Sequence, residues 1–124
     1  MNALTIDATI QTPYICFDPD NNKFEITGKS LPEDSDEFFE PVIEWFENYK
    51  EQPAEQTNFH FKLDYFNTSS SRYVSAIINI LDTLSSKHKV KIFWHYREID
   101  EDMQSMGEEY FDSTEVEFEL VEVV

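Results

Sequence analysis

A strand-helix-strand pattern in the second half of the chain constrains the fold more than any other feature. Residues 58–66 alternate apolar and polar side chains, which predicts a strand with Phe59, Phe61, Leu63 and Tyr65 on one face. Residues 73–84 repeat apolar side chains at helical spacing, and the compact apolar run 90–96 is typical of an interior strand. A strand, helix and parallel strand in this order form a right-handed crossover. The pattern therefore predicts a sheet that contains parallel strands.

The first half of the chain adds a hairpin and a helix to this sheet. The pattern predicts two strands around a tight turn, at residues 14–18 and 23–27, and Gly28 as the end of the hairpin. The first strand begins either at residue 14 or upstream, within residues 4–10. Apolar spacing over residues 38–49 predicts a helix. Asp34 or Ser35 can cap it. Pro41 predicts either that the helix proper begins there or that it kinks.

The last quarter of the chain predicts one more helix and one more strand. Residues 100–111 are acidic with apolar side chains at helical spacing, and residues 115–124 alternate as a strand does. The predicted order is β-β-α-β-α-β-α-β, which defines an α/β class. We expect one domain over residues 1–124, with a mixed β-sheet and covering helices.

Composition excludes several classes of protein. A chain that is 40% hydrophobic and 15% aromatic can build a core and is not disordered. Its net charge of -17 opposes binding to nucleic acid and to anionic membranes. Either its partners are basic or neutral protein surfaces, or the acidity serves only to keep a small protein in solution. No apolar run is long enough to span a membrane. Cys16 is the only cysteine and residues 1–7 do not resemble a signal peptide, so we expect a cytoplasmic location.

No group of residues in the sequence predicts catalysis, a metal or a cofactor. His60, His88 and His95 are scattered and lack metal-ligand spacing. The carboxylates between Glu98 and Glu109 lack the spacing and central glycine of a calcium loop, so a solvated helix face is the simpler reading. Neither a glycine-rich phosphate loop nor a nucleophile elbow is present. We therefore expect a protein that is not an enzyme.

The informative segment is the hydroxyl-rich turn at residues 67–71, between a predicted strand and a predicted helix. The first N–H groups of a helix lack internal partners, so a phosphoryl group on Thr68 would be favoured there, with Arg72 close enough to add a charged contact. The alternative is that Asn67, Thr68 or Ser69 only caps the helix. The residues alone leave both interpretations open.

The strand and helix order resembles that of STAS domains, to which bacterial anti-anti-sigma factors belong. Several local motifs go further and resemble the SiaC family of bacterial regulatory phosphoproteins. The motifs that carry this resemblance are Tyr65-Phe66-Asn67-Thr68-Ser69-Ser70, Thr12-Pro13 before Tyr14-Ile15-Cys16-Phe17-Asp18, Gly28-Lys29-Ser30-Leu31-Pro32-Glu33, and Phe39-Glu40-Pro41-Val42 with Trp45 and Tyr49. One departure is Asp34-Ser35, where the family pattern has Asn-Ala.

The resemblance implies a STAS-like fold and a phosphorylation switch. It implies that a serine/threonine protein kinase phosphorylates Thr68 and that a PP2C-type phosphatase reverses this step. The unphosphorylated form would bind and activate a diguanylate cyclase, which links the protein to cyclic di-GMP signalling and biofilm behaviour. The residues expected to contact the partner, from their position around the turn, are Tyr65, Asn67, Ser69, Ser70, Arg72 and Tyr73. The alternative is a STAS-like module that binds a small ligand or serves as an adaptor, with residues 67–71 only a cap.

Overall fold

Six strands form one mixed sheet in the order in which they occur along the chain, β1-β2-β3-β4-β5-β6. The structure is a computed structural model and describes residues 2–124. The strands are β1 (Leu4–Ile6), β2 (Tyr14–Asp18), β3 (Lys23–Ser30), β4 (Gln56–Phe66), β5 (Lys89–Arg97) and β6 (Glu117–Val123). The helices are α1 (Ser35–Tyr49), α2 (Thr68–Leu84) and α3 (Glu101–Ser113), and a 3-10 turn covers Pro19–Asn21.

All three α-helices lie on one face of the sheet. β1, β2 and β3 pair antiparallel, whereas β3 to β6 are parallel neighbours joined in turn by α1, α2 and α3. Parallel crossovers are right-handed as a rule, so three crossovers that step in the same direction are expected to place their helices on the same face. The core has this arrangement, with Tyr49 of α1 against Phe24 of β3 and Tyr110 of α3 against Trp94 of β5. None of the helices within residues 2–124 has the length and apolar character needed to cross a bilayer.

The predicted α/β class and mixed sheet are confirmed, with one strand added at the edge. Residues 4–10 do not extend β2. Leu4–Ile6 instead form the separate strand β1, which pairs antiparallel with β2 and places Leu4 opposite Phe17. Three residues, of which Leu4 and Ile6 are partly buried and Thr5 is exposed, give too short a pattern for the sequence to separate this strand from the next one.

A bulge near the end of β4 overturns two expectations. β3 does not end at Gly28 but continues to Ser30, and Gly28 has a φ of 107°, a conformation that glycine adopts without strain. Gly28 pairs with Leu63 and the next residue of β3 pairs with Tyr65, so Asp64 is the extra residue. The alternation of β4 therefore inverts, and Tyr65 is 53% exposed where the pattern placed it inside.

The first helix begins before its proline. Asp34 is the N-cap, and its carboxylate accepts a hydrogen bond from the Glu37 N–H at 3.1 Å. Pro41 lies inside α1 on an exposed position. The helix proper therefore starts at Ser35 and not at Pro41, and this start fixes the position of α1 beside the hydroxyl-rich turn.

Candidate phosphorylation and partner-binding site

The topology brings the starts of α1 and α2 to the same edge of the sheet. β3 and β4 are parallel neighbours, so their carboxyl ends meet there, with Ser30 paired to Phe66. The Asn67 N–H donates to the Ser30 carbonyl at 3.0 Å. This contact fixes the point at which the chain leaves β4 and begins α2. Thr68 is the first residue of that helix.

Asn67 is the N-cap of α2. Its side-chain oxygen accepts hydrogen bonds from the Ser70 N–H at 2.9 Å and from the Ser69 hydroxyl at 3.1 Å. The Ser69 hydroxyl also lies 2.6 Å from the Ser35 hydroxyl at the start of α1. Asn67 therefore caps α2. Through the contacts of its side-chain amide with Ser69, and of Ser69 with Ser35, the starts of the two helices are held together.

Ser70 differs from the expectation that it faces a partner. Its side chain is fully buried, and its hydroxyl donates to the Ser30 carbonyl at 3.2 Å. The Ser30 hydroxyl lies 2.8 Å from the same Ser70 oxygen. The first turn of a helix that packs on a sheet has an inner side, and Ser70 occupies it. In this conformation Ser70 fastens α2 to β3 and is out of reach of a partner.

Thr68 has the opposite environment. Its side chain is exposed, and within residues 2–124 its hydroxyl takes no part in the hydrogen bonds that hold the turn. Only its carbonyl is engaged, as the acceptor from the Ser71 hydroxyl at 2.6 Å. Thr68 thus presents a hydroxyl that a modifying enzyme can reach.

Arg72 and Tyr73 connect α2 to the first turn of α1. The Arg72 guanidinium lies 3.7 Å from a carboxylate oxygen of Asp36, and the Tyr73 hydroxyl donates to that same oxygen. This hydrogen bond holds the pKa of the Tyr73 phenol above its ordinary value of 10.0. The Tyr73 ring stacks on Phe39 with centroids 4.7 Å apart. Arg72 is exposed, whereas Tyr73 is half-buried.

The structure thus divides the predicted site residues into two groups. Tyr65, Thr68 and Arg72 are exposed, while Asn67, Ser69, Ser70 and Tyr73 support the surface from below or from the side. Sequence reasoning missed three supporting residues, namely Ser30, Ser35 and Asp36. Their position near the turn could have been predicted from the rule that the carboxyl ends of neighbouring parallel strands meet at one edge of the sheet.

Two of the histidines that appear scattered in the sequence are neighbours in the sheet. His60 Nδ1 and His95 Nε2 lie 2.9 Å apart on the face without helices, and the His60 ring stacks on Phe93. One ring nitrogen must donate and the other must accept, so the two rings cannot both carry a second proton at this distance. Burial lowers the pKa of both imidazoles, and burial together with the nearby His60 lowers that of His95 to about 4.

A separate cleft of about 850 Å³ lies between the carboxyl ends of β4, β5 and β6 and the start of α3. Charged side chains of both signs line it, including Lys62 and Arg97 as well as Asp64 and Asp100. Thr68 is not among its lining residues. The cleft is therefore a second surface, distinct from the hydroxyl-rich turn.

The sheet order, the single helical layer and the supported turn define a small α/β domain that presents an exposed threonine at the start of α2. A family model for SiaC family regulatory phosphoproteins matches residues 6–123. The chain belongs to the SiaC family.

Comparisons with individual proteins agree with this assignment. An uncharacterized protein of Pseudomonas aeruginosa strain UCBPP-PA14 is 33% identical over 114 residues, which cover 89% of this chain and 88% of the relative. The crystal structure of apo-SiaC from Pseudomonas aeruginosa aligns with a TM-score of 0.87 at 28% identity, over 98% of this chain and 99% of that one. A crystal structure of the diguanylate cyclase SiaD in complex with its activator SiaC, from the same species, aligns with a TM-score of 0.90 at 28% identity, over 97% of this chain and 99% of that one.

Proposed function

We propose that this chain is a phosphorylation-switched activator of a diguanylate cyclase. The unphosphorylated form binds and activates the cyclase, and phosphorylation of Thr68 ends the interaction. The observation that carries the proposal is the environment of Thr68, which is exposed while its neighbours Asn67, Ser69 and Ser70 are tied into the structure. The activator role of the SiaC relative seen bound to SiaD supports the choice of partner.

The switch needs two enzymes of opposite effect. A serine/threonine protein kinase transfers the γ-phosphoryl group of ATP to the Thr68 oxygen, while the hydroxyl proton leaves to a base of the kinase and ADP is released. A PP2C-type phosphatase then hydrolyses the phosphothreonine, which restores the hydroxyl and releases inorganic phosphate. We place this cycle in the cytoplasm, and the free buried thiol of Cys16 suits a reducing compartment.

The physical effect of the phosphate is local. It adds a charge of about -1.5 to -2 and a strongly hydrated group at one point of the surface. A partner that packs over Thr68 and Tyr65 would have to strip water from that group and bury its charge. The change in total charge is small for a chain that already carries -17, so the position of the phosphate decides the outcome.

Phosphate mapping tests the assignment of the site. The kinase encoded in the same genome is incubated with ATP and with the wild type, Thr68→Ala or Ser71→Ala, and intact masses and peptide maps are recorded. We expect one added phosphoryl group on Thr68 in the wild type and in Ser71→Ala, and none in Thr68→Ala. A phosphate on Ser69 or Ser71 of the wild-type chain would contradict the proposal.

The cleft beside β5 supports a second candidate, a module that binds a small ligand. In that case the cleft, and not Thr68, controls the cyclase. Thr27→Tyr would fill part of the cleft and abolish activation, while Thr68→Asp would activate as well as the wild type. The phosphorylation switch predicts the reverse result for both variants.

A further inference from the structure

Arg72 follows Thr68 by one turn of α2. Residues four apart lie on the same face of a helix, with about 5–6 Å between their Cβ atoms. Both side chains are exposed, so no packing separates them. A group added to the Thr68 oxygen therefore extends into the space that the Arg72 guanidinium can reach.

The present charged partner of Arg72 is held weakly. The guanidinium nitrogen lies 3.7 Å from the Asp36 oxygen, near the limit for an ion pair, and the two side chains are 68% and 73% exposed. Exposed pairs of this kind contribute little, because water and salt screen them and two long side chains must be held in place. Asp36 also belongs to another helix and already accepts a hydrogen bond from Tyr73.

We propose that Arg72 is the residue that binds the phosphate of phosphorylated Thr68, and that it leaves Asp36 to do so. This inference rests on the proposed modification of Thr68. A phosphate offers more charge than a carboxylate and three acceptor oxygens, and the planar guanidinium can donate two parallel N–H bonds to them. The new pair also forms between two residues of the same helix, so it does not require one helix to be held in place relative to another.

The exchange changes the surface at two points. The phosphate is neutralised in part by Arg72, while Asp36 loses its cation and is repelled by the new negative charge. In the unmodified protein the Arg72 guanidinium and the Tyr73 hydroxyl contact the same Asp36 oxygen. After the exchange only the Tyr73 hydroxyl contacts it. The link between the first turns of α1 and α2 is therefore weakened in the phosphorylated form, which alters the shape as well as the charge that a partner meets.

Phosphorus NMR on the full chain tests this pairing directly. Phosphothreonine is introduced at position 68 by site-specific incorporation, so the measurement does not depend on any kinase. The variants are the wild type, Arg72→Gln and Arg97→Gln. Arg97 is the matched control, because it is also an exposed arginine paired with a single aspartate, Asp64, at 3.5 Å.

The second ionisation of the phosphate is the quantity to follow, since a neighbouring cation favours the dianion. We expect Arg72→Gln to raise that phosphate pKa by a few tenths of a unit relative to wild type, as suits an exposed pair. Arg97→Gln should leave it unchanged, and Asp36→Asn should lower it by removing the competing carboxylate. Equal values in the wild type and Arg72→Gln would overturn the inference.

The titration separates this inference from the proposed function. If Arg72→Gln does not move the phosphate pKa while phosphorylated protein still loses the cyclase, the pairing is wrong and the switch stands. If the phosphate is paired with Arg72 but the phosphorylated protein binds the cyclase as well as before, the pairing stands and the switch is wrong.

Discussion

Neighbouring hydroxyl groups in the turn at residues 67–71 have different surroundings because they point in different directions. Ser69 and Ser70 join α2 to the start of α1 and to the end of β3, whereas Thr68 points to solvent. The chain could therefore be modified at one hydroxyl without disturbing those that hold the turn. Under the proposed switch, stability and regulation are separable at the level of single residues.

Replacing Ser70 by alanine tests this separation. We expect Ser70→Ala to lower the free energy of unfolding by about 1–3 kcal/mol, because the buried Ser30 hydroxyl and carbonyl lose a partner. Urea unfolding measures the loss, with Thr83→Ala at an exposed position of α2 as control. Phosphorylation of Thr68 should persist in Ser70→Ala. A variant as stable as wild type would mean that these hydrogen bonds contribute nothing.

The histidine pair predicts a pH dependence of stability. The folded pKa of His95 is about 4, below its ordinary value of 6.5, so the unfolded chain binds the proton more readily. The neutral pair therefore contributes stability above pH 6.5 that is lost as the pH falls toward 4. We expect the unfolding free energy of His95→Gln to fall less than that of wild type over this window. Parallel curves would contradict the prediction, and His88→Gln, at an exposed position, is the control.

At the scale of elements, periodicity predicted most of what the structure contains. The hairpin, the three α-helices and the parallel strands follow from local patterns, because each pattern reflects burial on one face. The bulge at Asp64 was not predicted, since it lies in the pairing of β4 with the neighbouring strand β3, which no local pattern records. Tyr65 was therefore placed inside. The supporting contacts of Ser30 and Ser35 were missed for the same reason, because they join residues 34 or more positions apart.

The packing of α3 depends on a residue without a side chain. A Cβ atom at Gly107 would lie 2.4 Å from a carbon of the buried Trp94 ring and 2.7 Å from a methyl group of Leu120. We expect Gly107→Ala to cost about 1–3 kcal/mol by forcing α3 away from β5 and β6. Thermal unfolding measures this, with Ser105→Ala on the exposed side of the same helix as control. An unchanged midpoint would show that the helix can shift without cost.

At the scale of the whole molecule, one crossover rule accounts for the position of the site. Three right-handed crossovers that step in one direction place all helices on one face and start each of them at the same edge of the sheet. That edge holds Thr68, Arg72 and the first turn of α1. The sequence predicted the mixed sheet and its covering helices, but the single helical layer emerges only from the order in which the strands pair.

The most direct test is activation of the diguanylate cyclase from the same genome by three forms of this chain. They are the unmodified protein, the protein with phosphothreonine at position 68, and the protein with phosphothreonine at position 83, which is exposed on the same helix and adds the same charge. We predict activation by the first and third forms, none by the second, and recovery of the second after treatment with a PP2C-type phosphatase. Equal activation by all three forms would contradict the account.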